Sequence, residues 1–272
     1  MANPLLNDKV LTEANKAGWG APDPASRNTP LSPITDGPSS SWHSGTMTVG
    51  GTITATGVLM VLLLASAVVG WQSAKGSLTG NRPGFPPLAL VGVIVGFGCA
   101  IAVRFKPQWA KVLGPIYALA EGFFVGVISK AYNSYQNGIV VQAVGATLGV
   151  FVVMLVLYRT RIIKVTDRFR RIIIGATIGL MVFYLVSFVI RLIAGAGAVS
   201  FLNSPSLLGV AFSLFAAGLA AMNLALDFDF IERAVAAQAP KNTEWFAAFG
   251  LLVTIVWLYL ELLRLLSKLQ RR

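Results

Sequence analysis

Seven apolar runs, each long enough to cross a bilayer, follow one another through most of this chain. They fall at about Gly50–Trp71, Pro87–Val103, Trp109–Ser129, Ile139–Tyr158, Ile172–Ile190, Leu207–Leu226 and Phe246–Leu266. A helix rises 1.5 Å per residue and the hydrocarbon core is about 30 Å thick, so roughly 20 apolar residues span it. Inside lipid a backbone must satisfy its own hydrogen bonds, which leaves helices or closed barrels. No run alternates apolar with polar residues as a strand would. The fold class read from this is all-α: a polytopic membrane protein built as a seven-transmembrane-helix bundle. Only 12% of residues are charged, about half the share in soluble domains. The links are short, so the bundle is one domain, residues 48–272. Residues 1–47 are rich in Ser, Pro, Asn and Thr and read as a disordered polar tail. Leu5–Ala14 is the one stretch there with the makings of a short helix, and no secretory leader is recognisable.

Cys99 is the single cysteine and lies in an apolar run, so no intrachain disulfide or zinc motif can form. His43, the single histidine, sits in the tail, which argues against a Ser–His–Asp site. Aspartyl proteolysis needs two aspartates facing each other from adjacent spans; Asp227 and Asp229 lie on one helix end. The chain is therefore expected not to be an enzyme and to need no cofactor. Its formal charge is +11, but the basic residues flank the spans, so they speak for topology and not for nucleic acid. The link between the fourth and fifth spans carries Arg159, Arg161, Lys164, Arg168, Arg170 and Arg171 against one acid, Asp167. That link is expected in the cytoplasm, with the N-terminus. The basic chain end (Arg264, Lys268, Arg271, Arg272) argues the other way.

Three stripes of small residues sit at helix-packing spacing: Ala118, Gly122 and Gly126 on the third span, Gly145 and Gly149 on the fourth, Gly175 and Gly179 on the fifth. Each is expected to let two backbones approach closely.

The acids carry the chemistry. Glu121 is the one charge between Lys111 and Lys130, which places its carboxyl near mid-membrane. There it is either a protonated group hydrogen-bonded to a neighbouring helix or a residue on a proton or cation path. Asp227 and Asp229 follow directly on the apolar run ending at Leu226. They either offer oxygen ligands to a cation such as calcium, a tentative metal site, or lie solvated at a helix end beside Arg233 or Lys241. Glu244 reads as a first-turn acid of the last helix. Glu261 is three residues before Arg264, which suits a local ion pair, and shares a helix face with Thr254, which suits a path lining.

Three segments stand out together: Gly114-Pro-Ile-Tyr-Ala-Leu-Ala-Glu-Gly-Phe-Phe-Val-Gly, Leu226-Asp-Phe-Asp-Phe-Ile-Glu and Trp257-Leu-Tyr-Leu-Glu-Leu-Leu-Arg-Leu-Leu. In order and spacing they resemble the Bax inhibitor-1 / transmembrane BAX inhibitor motif family, with the look of its bacterial branch. The resemblance covers about residues 48–268. It implies a bundle with its last helix near the centre, in a bacterial plasma membrane. It also implies a pH-sensitive calcium leak governed by paired aspartates on the sixth and seventh helices. The first aspartate carries over to Asp227, with Asp229 the other register; the second does not, because Thr254 occupies its place. A hydroxyl cannot share a titrating proton, so Glu121 or Glu261 is left to supply the missing carboxyl. The competing expectation is a non-conducting regulatory partner of another membrane protein, such as a membrane protease.

Overall fold

The structure, a computed structural model, describes residues 45–77, 87–194 and 204–271. Seven helices long and apolar enough to cross a membrane run through them: α1 Val49–Ser77, α2 Pro87–Phe105, α3 Ala110–Tyr135, α4 Ile139–Arg159, α5 Asp167–Ala194, α6 Leu207–Ala236 and α7 Thr243–Gln270. Among the described residues there is no strand. The polar tail and the Leu5–Ala14 segment lie outside the described residues. Only residues 45–47 of that tail are described, and they lie against the α6–α7 link. Met47 N–H donates to Ala239 O (2.8 Å) and Lys241 N–H to Gly45 O (2.7 Å).

Most helices outrun their apolar segments. α5 begins five residues before Ile172 and α6 continues past Leu226 to Ala236. Polar side chains cap the starts of both helices: Thr166 Oγ1 accepts from Phe169 N–H at the start of α5 (3.2 Å), and Ser206 Oγ from Gly209 N–H at the start of α6 (3.2 Å). Between α3 and α4 the chain turns on Gly138, whose φ of +83° belongs to the left-handed region that glycine enters freely.

α7 is the axis of the bundle. It packs on α1, α3, α4 and α6, and 61% of its spanning window is buried, against 11% for α5, which rests on α6. The central helix implied by the family resemblance is thus present. Water gives no drive for helix association inside lipid, so close fit must supply it. The fit is tightest between α1 and α3. A Cβ on Gly122 would strike the backbone of Leu63, and one on Gly126 the backbone of Ala67. Ser66 Oγ also donates across to Leu119 O (2.5 Å). The other two stripes do not pack: a Cβ on Gly145, Gly149, Gly175 or Gly179 meets nothing within 4 Å. Those glycines lie on the outer, lipid-facing surface, where an apolar stripe needs no partner.

Glu244 has a role that spacing alone did not reveal. It is 5% exposed, and its Oε1 accepts from both the N–H and the hydroxyl of Thr48 (3.0 Å each). Thr48 Oγ1 in turn accepts from Gly51 N–H (2.9 Å). This is a capping box divided between two helices: the acid normally found three residues after the cap comes from α7 instead. Gly51 has no side chain because a Cβ there would collide with that carboxylate. Glu244→Ala is expected to destabilise the protein by about 1–2 kcal/mol, as a lost cap does. A fall of several degrees in the melting temperature in detergent checks it; an unchanged temperature would remove the cap from the account.

Candidate functional site

Asp227 lies inside the bundle and not at its mouth. α6 runs nine residues further, to Ala236, which is about 14 Å of helix. The carboxyl is seated against the Gly250–Thr254 turn of α7. The Thr254 hydroxyl abuts it while donating to Gly250 O (3.2 Å). A Cβ on Gly250 would lie 4.0 Å from Asp227 Oδ1, in ordinary contact, which sets the acid directly against this turn. Asp227 Oδ2 is buried and has no hydrogen-bond partner. The neighbouring residue Phe228 belongs to an apolar cluster with Leu224, Leu251 and Leu258. A buried carboxyl oxygen with no donor is costly and seldom tolerated without a use.

Asp229 takes the paired role instead, though it is mostly buried rather than solvated. Its Oδ2 receives Arg233 (2.6 Å) one turn on, and Arg170 from the start of α5 (3.0 Å). Residues two apart on a helix point about 200° from each other, so Asp227 and Asp229 do not share one cation site. Two guanidiniums already neutralise Asp229, and the tentative metal pairing of these two acids is not what the fold builds. Among the described residues no group of three His, Cys, Asp or Glu gathers to hold a metal ion. Glu232 accepts from the Tyr158 hydroxyl of α4.

Glu261 is 2% exposed and fully engaged. Arg264 Nη1 donates to Oε1 (3.0 Å) and Oε2 (2.9 Å), the Tyr184 hydroxyl to Oε1 (2.8 Å) and Trp257 Nε1 to Oε1 (3.3 Å). The ion pair read from spacing is there. The tyrosine from α5 was not legible, because Tyr184 sits in an apolar run with nothing to mark it.

Glu121 points elsewhere. A Cβ on Gly96 of α2 would lie 2.8 Å from its Oε2 and 3.7 Å from the Tyr117 ring. The acid therefore occupies the α2–α3 seam, and among the described residues no hydrogen bond or ion pair joins it to Asp227 or Glu261. The fold brings Thr254 to Asp227 and separates Glu121, Asp229 and Glu261 from that pair.

Two cavities stand out. One, about 220 Å³, is bounded by Tyr132, Tyr135, Arg264, Ser267, Lys268 and Arg271. The other, about 610 Å³, is an apolar groove bounded by α1, α3, α4 and α7. Lys268 is a further unforeseen feature. It is 3% exposed, with its ammonium donating to Gly209 O (2.8 Å) and Ser213 Oγ (2.7 Å) of α6.

The family model described as Bax inhibitor 1 like matches residues 3–271. The chain belongs to that family. The match reaches well into the polar tail, further than the three segments alone indicate. No curated protein gives a match. As a Bax inhibitor 1 like protein with Thr254 opposite Asp227, it presents one carboxylate at the α6–α7 contact.

Proposed function

We propose that this Bax inhibitor 1 like protein is a proton-sensitive cation pathway, with calcium the ion tested first, in a bacterial plasma membrane. The observation that supports this most is Asp227 Oδ2, buried at the contact of α6 with the central helix α7 and without a donor. Glu261 and Asp229 are neutralised by arginines; Asp227 is left with one hydroxyl beside it and unused acceptor lone pairs on Oδ2. A cation passing between α6 and α7 would find a carboxylate and a hydroxyl, both hard oxygen ligands. A proton on Asp227 would remove the charged ligand and change the α6–α7 contact together. Neither of the two cavities reaches Asp227, so this arrangement is read as the closed one.

We place the N-terminus in the cytoplasm, together with the basic α4–α5 link. The basic chain end no longer argues strongly against it. Arg264 and Lys268 are held inside the bundle by Glu261, Gly209 and Ser213, so their places are set by packing.

The second reading, a non-conducting partner of another membrane protein, draws support from the lining of the two cavities, which includes no acid. Calcium uptake into proteoliposomes at external pH 6, 7 and 8 separates the two. Flux is expected to change with pH in the wild type and to fall at least about tenfold in Asp227→Asn. Glu121→Gln should alter it far less, because that acid faces α2. No flux above protein-free liposomes, from protein shown to be folded, would sink the channel reading in favour of the partner.

A further inference from the structure

The apolar groove is walled by Leu64 and Val68 of α1 and by Val144 and Leu148 of α4, and floored by Ile255 and Tyr259 of α7. Its polar floor atoms are satisfied: Ser129 Oγ and Tyr259 Oη bond each other at 2.6 Å. Along α1 it extends from Met60 to Gln72, twelve residue steps or about 18 Å of helix. That is close to half the hydrocarbon thickness, one leaflet's depth. Its size falls within the range of pockets that bury a small ligand.

One end of the groove is marked. Trp71 and Gln72 close it, and Lys130 of α3 holds its ammonium 4.9 Å from the Trp71 ring. Both residues lie near the ends of their helices, at the level where tryptophan and lysine meet headgroups. The ion pairs of the described residues involve Arg170, Arg233 and Arg264, not Lys130. A positive charge without an acid therefore stands at the mouth of an acyl-sized channel that opens sideways into lipid.

We propose that the groove is a phospholipid site, with one acyl chain lying between α1 and α4 against α7 and the phosphate paired with Lys130. The long apolar walls take the chain, Trp71 sits at the ester level, and the lysine supplies the counter-charge. The chain would rest on the α7 turn that follows Thr254, so the site belongs to the central helix and not to a loose outer surface. A second copy of this protein would need an acid to meet Lys130, and neither α1 nor α4 carries one.

Native mass spectrometry of the full-length protein in detergent tests this, with palmitoyl-oleoyl phosphatidylglycerol or dihexanoyl phosphatidylglycerol added. The wild type is expected to keep one long-chain lipid and not the short-chain one. Lys130→Gln should weaken retention about fivefold, the worth of one lysine at an anionic lipid surface. Val144→Trp should abolish it by filling the groove from an outward-facing position. Leu148→Trp serves the same end if the first variant does not fold. Full retention in a folded tryptophan variant, equal retention in Lys130→Gln, or equal binding of the short-chain lipid would each overturn the site. A wild-type dimer that Val144→Trp dissolves would assign the groove to a second copy instead.

Discussion

Replacing Arg264 by Met is expected to destabilise the bundle by about 3–5 kcal/mol, the usual result of stranding one partner of a buried ion pair. Glu261 is almost wholly buried, and Arg264 serves both of its oxygens. Without the guanidinium, the Tyr184 hydroxyl and the Trp257 indole remain, and neither carries a charge. Arg264 is about one third exposed, so water screens part of the loss and the effect belongs at the lower end of that range. The double variant Glu261→Met/Arg264→Met should recover most of the stability, because no charge is then left buried. Tyr184→Phe should cost about 1 kcal/mol, one hydrogen bond, and loosen α5 in particular. That helix has little other burial, and Tyr184 ties it to α7. Equilibrium unfolding of the single and double variants supplies the cycle. If Arg264→Met alone shifts stability by less than about 0.5 kcal/mol, the pair is not holding α7.

The spans were legible because lipid imposes length and hydropathy directly, and the acids because so few charges occur in them. What spacing could not decide was where each side chain points. Asp227 and Asp229 look alike in the sequence; one faces Thr254 inside the bundle and the other meets Arg170 from a helix about sixty positions away. Lys268 counts as a terminal positive charge when read along the chain, yet it is buried against α6. Glu244 reads correctly as a first-turn acid, but the helix it caps begins at Val49 and is remote in sequence. The three small-residue stripes show the limit most plainly. Packed and lipid-facing surfaces are equally apolar in a membrane, so the pattern marks a possible contact without saying whether a neighbour is there.

That limit makes the second prediction. Gly126→Leu is expected to prevent normal assembly or to cost about 3 kcal/mol or more, the upper end for overpacking. The added Cβ would meet the Ala67 carbonyl and backbone, and no rotamer can move backbone atoms aside. α1 would have to retreat from α3 along the whole seam, losing the Leu63–Gly122 contact and the Ser66–Leu119 hydrogen bond together. Gly149→Leu has the same chemistry on α4 but open space around it. It should change stability by less than about 0.5 kcal/mol, as an outward substitution does. The pair is read by the yield of monodisperse protein and by thermal unfolding in the same detergent. Equal damage from both would mean that a second polypeptide covers the α4 face. Equal tolerance would mean that α1 and α3 are not in contact at Gly126, and the α1–α3 seam described above would have to be given up.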